Sequence, residues 1–190
     1  MAVDWSPAAG TLAVVPALER PELLAGPVRA AVAELPAAEA ARVGVAEIDP
    51  ELADTAAFCA EHASPLELSA NCVVVAGKRG GEQRHAACLV LATTRADVNG
   101  VVKRRLDVRK ASFAPMEDAV ALTAMEYGGI TPFGLPGGWP LLVDTAVAEA
   151  PAVVIGSGLR RGKLIAPGAV LARLPGAEVL DGLARTGASG

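Results

Sequence analysis

The segment best suited to chemistry is Gly128-Gly129-Ile130-Thr131-Pro132, a G-x-x-x-P loop set in Tyr127-Gly-Gly-Ile-Thr-Pro-Phe-Gly134. Two adjacent glycines let backbone amides turn toward a ligand where a Cβ would clash, and Pro132 fixes the direction in which the chain leaves. Such a loop can aim N–H donors at a carbonyl, or at the oxyanion formed when water attacks an ester. The same residues also suit a purely structural turn between a helix and a strand. Other reactive combinations are scarce. With two histidines, His62 and His85, a Ser-His-Asp triad or a His-rich metal site has few possible members. Cys59, Cys72 and Cys88 form no C-x-x-C pair and are odd in number, against a disulfide framework or a zinc knuckle. The G-x-x-x-x-G-K-S/T phosphate loop is missing. Gly156-Ser157-Gly158 is followed by Leu-Arg-Arg-Gly-Lys, which does not open the helix that a dinucleotide-binding turn requires. No metal or cofactor is expected.

Charge is unevenly distributed. Between Gly77 and Lys110 lie nine basic residues and three acidic ones, locally +6, while the rest of the chain carries 8 basic and 18 acidic residues, or −10. Lys78, Lys103, Arg104, Arg105, Arg109 and Lys110 are the candidates for meeting a polyanion on one face of a weakly acidic protein. A solvated helix face and a charged hairpin turn would give the same pattern. Aromatic residues make up only 3% of the chain, so nucleic-acid binding would rest on charge and shape rather than on base stacking.

These residues need a folded frame, and 190 residues at 52% hydrophobic and 20% charged suffice for one domain. Every apolar run is broken well before the ~18 residues of a membrane span. Met1 to Leu18 has Asp4 and no basic n-region, which argues against a secretory signal and makes the cytoplasm the default compartment. Residues 1–26 read as an extension packed on the body, 27–185 as the domain, and 186–190 as a tail. Helices are expected over Val28–Leu35, Glu51–Glu61, Asp97–Leu106, Met116–Thr123 and Ala169–Leu174, the last closing the chain. Strands are expected over Arg42–Ile48, Cys72–Ala76, Ala86–Thr93, Lys110–Ala114, Leu141–Asp144, Ala152–Gly156 and Lys163–Ile165. The second and third of these form a central hairpin with a basic tip. A hairpin among irregularly alternating elements points to an α+β domain with a mixed sheet and not to a doubly wound one.

The ordered run Thr123-Ala-Met-Glu-Tyr-Gly-Gly-Ile-Thr-Pro-Phe-Gly-Leu-Pro136, then Pro140-Leu-Leu-Val-Asp144, then Val154-Ile-Gly-Ser-Gly158 with Arg-Arg-Gly162, resembles the YbaK/EbsC superfamily. That superfamily includes prolyl-tRNA synthetase editing domains and their free-standing relatives, and the resemblance spans roughly residues 45 to 183. It implies an α+β fold around a mixed, partly curved β-sheet flanked by helices, and trans-editing: hydrolysis of the ester joining a wrong, small amino acid to the tRNA 3′ end. Aminoacyl-tRNA would be the partner, with an aminoacyl-tRNA synthetase as a possible second, and neither DNA nor membrane would be involved.

On the same resemblance Gly128, Gly129 and Pro132 would hold the aminoacyl carbonyl, with Ile130 and Thr131 beside them. Asp144 would support the fold beside the pocket, though a carboxylate at that place suits a capping residue equally, and Gly156, Ser157 and Gly158 would line the opposite wall. One position departs from the pattern. Where family members usually carry a lysine, this chain has Asn71, which can hydrogen-bond but supplies no charge. Losing one charge-assisted contact costs about 1.5–3 kcal/mol unless another group compensates, with Lys110 or Lys78 as candidates. The alternative is a catalytically inactive member that binds aminoacyl-tRNA, a nucleotide or a protein through the same pocket.

Overall fold

The computed structural model describes residues 3–186. Its strands are β1 (Val15–Pro16), β2 (Gly44–Glu47), β3 (Ala70–Arg79), β4 (Glu82–Leu91), β5 (Thr94–Ala96), β6 (Ala111–Phe113), β7 (Leu141–Asp144), β8 (Val153–Gly156), β9 (Gly162–Ala166), β10 (Ala177–Leu180) and β11 (Ala184–Thr186). Its α-helices are α1 (Ser6–Ala9), α2 (Gly26–Glu34), α3 (Ala37–Ala40), α4 (Thr55–His62), α5 (Lys103–Leu106), α6 (Met116–Thr123), α7 (Thr145–Ala148) and α8 (Gly168–Leu171). The result is a single α+β domain, but the strands divide among separate sheets instead of sharing one. An antiparallel sheet runs β1-β2-β9-β8, a mixed sheet runs β10-β7-β4-β3-β6, and β11 pairs with β5. A parallel bridge between Ser69 and Val154 ties the start of β3 to β8 and so joins the two larger sheets.

The β3–β4 hairpin is central, as its apolar runs imply, and pairs continuously from Ala70 with Leu91 to Arg79 with Glu82. Successive side chains of a strand point to opposite faces, so both faces of this sheet are covered. Ala87 and Leu89 of β4 join Leu141, Val143, Phe133 and Leu164 in the larger core. Ala86, Cys88 and Val90 meet Val102, Leu106 and Val108 beneath the basic helix α5 on the other side. Burial pushes the Cys88 thiol up to about 12, so it behaves as a small hydrophobe there.

Three expected elements differ for identifiable reasons. The helix expected over Glu51–Glu61 is two pieces, because Asp49 caps a 3-10 turn at Pro50–Leu52 and Asp54 separately caps α4 by accepting from Ala56 N and Ala57 N. The expected Asp97–Leu106 helix begins as a π-helical turn over Val98–Val102, capped by the Asp97 carboxylate, before it becomes α5. The chain does not close on the helix at Gly168–Leu171. β10 follows it and lies parallel to β7 at the sheet edge, where half-exposed residues blur the alternation that marks a strand. Residues 5–25 contribute α1, β1 and buried side chains, with Leu23, Leu24 and Ala25 in the larger core and Ala8 and Ala9 packed with Phe58 and Ile165. Of the expected tail, Thr186 ends β11, and 187–190 lie outside the described residues.

Candidate active site

Where β3 and β8 meet, an open cavity of about 830 Å³ is walled by the start of α4, residues Ala70–Val74 of β3, the Gly128–Ile130 loop, the end of β8 and one residue of β9. That volume suits a small-molecule-sized group.

The glycine loop is clamped from behind. Gly129 N–H donates to Glu126 O at 2.9 Å, Gly158 N–H donates to Gly129 O at 2.7 Å, and Glu126 N–H donates to Gly158 O at 2.8 Å. Phe133, fully buried in the larger core, anchors the exit of the loop. Gly128 has a φ of +86°, a conformation that a side chain disfavours. At Gly156 the reason for glycine is proximity, since a Cβ there would be driven into Gly129 O and Ile130 O. The amides are therefore not equivalent. Gly129 N–H is consumed inside the turn, whereas the Gly128 and Ile130 N–H groups have no protein acceptor among the described residues, and both residues line the cavity.

Asn71 lies on the β3 wall, half-buried, and its Oδ1 accepts from Thr55 Oγ1 at 2.9 Å. No cation occupies that position, but the cavity has two from elsewhere, Arg160 and Lys163. Arg160 staples the rim, with Nη2 donating to Pro50 O at 3.0 Å and Nη1 to Tyr127 O at 3.3 Å. Lys163 projects from β9, only 6% exposed. Its Nζ donates to Ala53 O at 3.2 Å and sits 5.1 Å from the centre of the Phe58 ring. Burial pushes its pKa down from the ordinary lysine value, and neighbouring Arg160 acts in the same direction, while Cys59 and Asp54 oppose them. Cys72 also lines the cavity, and burial raises its pKa, so it presents a thiol and not a nucleophilic thiolate.

The structure brings Asn71, Gly128, Ile130 and Gly156 together around the cavity. Gly129, Thr131, Pro132, Ser157 and Gly158 are buried behind that wall and do not line it. Thr131 Oγ1 has no hydrogen-bond partner there. Asp144 stands apart, its carboxylate accepting from Ala146 N at the start of α7 and from Ala184 N on β11.

Lys78, Lys103, Arg104, Arg105, Arg109 and Lys110 lie outside the cavity. Lys78 is seven residues along β3 from Asn71, roughly 23 Å at strand rise, which removes it as a substitute for a cation at position 71. Lys110 precedes β6 and does not line the cavity either. Two aromatic residues do mark the mouth, Phe113 at 58% and Tyr127 at 59% exposure. Residue counting alone overlooked them because the total is so low.

Thr55, Arg160 and Lys163 were not evident as site residues. The signal for Lys163 is a single charge in the otherwise apolar strand Gly162-Lys-Leu-Ile-Ala166, every residue of which is buried.

An aminoacyl-tRNA editing domain model matches residues 49–174, and the chain belongs to that family. This agrees with the YbaK-like resemblance carried by the Gly128–Pro132 segment. The chain is also similar in structure to a protein described as a candidate trans-editing enzyme for prolyl-tRNA synthetase, with a TM-score of 0.68 and 22% identity over 83% of this chain and 94% of that one. A scaffold protein used in computational epitope backbone grafting matches with the same TM-score and identity, over 83% of this chain and 97% of that one. No curated protein sequence matches the chain. At these identities the structural likeness establishes the fold.

Proposed function

We propose that this protein is a free-standing aminoacyl-tRNA deacylase acting in trans, which hydrolyses the ester between a small mischarged amino acid and the tRNA 3′ end. The observation that carries this reading is the pair of cavity-wall amides at Gly128 and Ile130, lacking protein acceptors, in a member of the editing family. Water adds to the ester carbonyl, the carbonyl oxygen becomes an oxyanion, and collapse expels the ribose oxygen, which leaves with a proton as the hydroxyl. Amides held rigid by the Glu126–Gly129–Gly158 clamp suit the oxyanion without reorganising. With Cys72 protonated, direct attack by water fits better than a covalent enzyme intermediate.

In this reading Ile130 and Gly156 contact the aminoacyl group, and Gly129, Thr131, Pro132, Ser157 and Gly158 hold that wall in place. Asn71 hydrogen-bonds the substrate, and Asp144 steadies the β7 end. The exposed faces of Phe113 and Tyr127 offer the terminal adenine a place to stack. Lys78, Lys103, Arg104, Arg105, Arg109 and Lys110 meet tRNA phosphates. A synthetase that makes the error is the natural companion, and the cytoplasm the natural setting. No helix among the described residues is long and apolar enough to cross a membrane.

The uncharged Asn71, already engaged by Thr55, favours a second reading in which the pocket binds acylated tRNA without turnover. Deacylation of a panel of small mischarged aminoacyl-tRNAs by the native protein and by Asn71→Lys separates the two. Native turnover supports the enzyme. Silence of the native protein with activity in Asn71→Lys supports the binder.

A further inference from the structure

Lys163 is the one lysine buried in the cavity wall. An ammonium has three N–H donors, and this one uses a single protein acceptor, Ala53 O, with the Phe58 ring face beside it and Cys59, Asp54 and Arg160 acting on it at longer range. Among the described residues no carboxylate lies within ion-pair distance of it. A buried charge left in that condition is costly unless something else in the site answers it.

Its position says what that something is. Lys163 pairs directly with Gly156 across the β8–β9 ladder. Directly opposite residues project to the same face of a sheet, and the face at Gly156 is the one covered by the Gly129–Ile130 backbone. The side chain therefore rises on the same side as the glycine loop. Ala53 links the two, because its carbonyl receives Nζ and its methyl lies 3.7 Å from where a Gly128 Cβ would stand. A tRNA phosphate, tethered to the bulk of the nucleic acid, belongs near the exposed mouth. The group that enters far enough to reach a 6%-exposed ammonium is the aminoacyl ester itself.

We propose that Lys163 is a catalytic residue of this site, its ammonium donating to the oxyanion that forms at the ester carbonyl alongside the Gly128 and Ile130 amides. This rests on the deacylase reading for its substrate, and it gives the chain a cation from β9 in place of the one absent at Asn71 on β3. The bond changes are those of hydrolysis: water oxygen bonds to the carbonyl carbon, the carbon–ribose oxygen bond breaks, and Lys163 keeps its proton throughout.

The test uses two stable probes, adenosine carrying a small aminoacyl group at the 3′ position through a neutral amide, and the same nucleoside carrying an anionic tetrahedral aminoalkylphosphonate ester. Calorimetric titration of the native protein should show the phosphonate bound more tightly than the amide, roughly a hundredfold. Lys163→Met should cut that preference by at least about tenfold, and Lys163→Arg should keep most of it. A thermal melt checks that Lys163→Met is folded. If it is not, the pH dependence of the native preference carries the same information, since the preference must fall as the ammonium loses its proton.

A preference unchanged in folded Lys163→Met, or equal weakening of both probes, overturns the proposal, because the side chain then only fills space. Where the native protein turns over a mischarged tRNA, Lys163→Met should lower kcat with KM nearly unchanged, and a loss confined to KM overturns the oxyanion role. Native silence on every ester overturns the deacylase reading instead, while the probe preference still reports on Lys163.

Discussion

The basic middle of the chain and the cavity solve opposite electrostatic problems. Around α5 and the hairpin tip, cations stand in water and several are answered within the protein. Arg79 and Arg84 reach Asp107 at 2.5 and 3.5 Å, and Arg105 pairs with Glu178 at 2.5 Å. In the cavity Lys163 is buried, and among the described residues no carboxylate lies within ion-pair distance of it. Charge in water is cheap, screened by salt and weakly positioned, whereas charge in a cavity is costly and directed. The number of cations therefore identifies the wrong region for chemistry, and the single apolar-strand lysine identifies the right one.

The strongest way to break this contrast is to displace the wall that the cavity cation faces. Gly156→Val drives a side chain into Gly129 O and Ile130 O. Deacylation should fall to background, and thermal unfolding should show a loss of about 1–3 kcal/mol from overpacking. Undiminished turnover would remove the glycine loop from the mechanism.

The basic region is tested by its salt dependence. In the triple variant Lys103→Gln, Arg104→Gln, Lys110→Gln, the slope of log K against log salt for tRNA binding should shrink by roughly 2 to 3, near 0.9 for each lost phosphate contact. Lys163→Met should leave that slope alone. A triple variant with the native slope would make the basic middle an ordinary solvated surface.

A smaller effect separates the two regions through pH. Because burial lowers the Lys163 pKa, the native state releases that proton before the unfolded chain does, at about 10.4. Between the lowered value and the unfolded one the unfolded state binds more protons, so stability contributed at this site rises with pH. Below that window the native protein should bear the full cost of the buried charge, and its stability deficit against Lys163→Met should narrow as pH climbs through it. Arg160, Cys59 and Asp54 act on the same ammonium and remain in both proteins. Parallel stability curves would show that Lys163 binds its proton equally in the folded and unfolded states, with no lowering of its pKa by burial.

How much of this was legible beforehand follows from what a sequence records. The central hairpin, α6 and β7 were readable because apolar runs and caps are local, and the Gly128–Pro132 loop because glycine and proline spacing is local too. Which sheet a strand joins is not local. β8 and β9 read simply as strands, and only their pairing beside Ser69 puts Lys163 into the cavity. Likewise two glycines announce free amides, but the contact between Gly129 and Glu126 that consumes one of them depends on the turn that forms. Asp144 shows the converse, a carboxylate whose partners at Ala146 and Ala184 make it a cap, one of them supplied by a strand the pattern did not reveal.

The smallest expected change sharpens the comparison from the basic side. Asp107 ends α5 in a left-handed conformation, φ +54°, and its carboxylate takes Arg79 and Arg84. Asn tolerates that conformation about as well as Asp, so Asp107→Asn removes the charge while keeping the turn. Both ion pairs are well exposed, and the loss of stability should stay below about 1 kcal/mol in a denaturant titration. Arg84 keeps Leu106 O and Glu82, and Arg79 keeps the Asp107 carbonyl, but both guanidiniums lose the carboxylate they share, so tRNA should bind slightly more tightly, most visibly at low salt, with deacylation per bound tRNA unchanged. Unchanged tRNA binding would mean that the surface around Arg79 and Arg84 faces away from the nucleic acid, and that Lys103, Arg104 and Lys110 carry the contact from another side of α5.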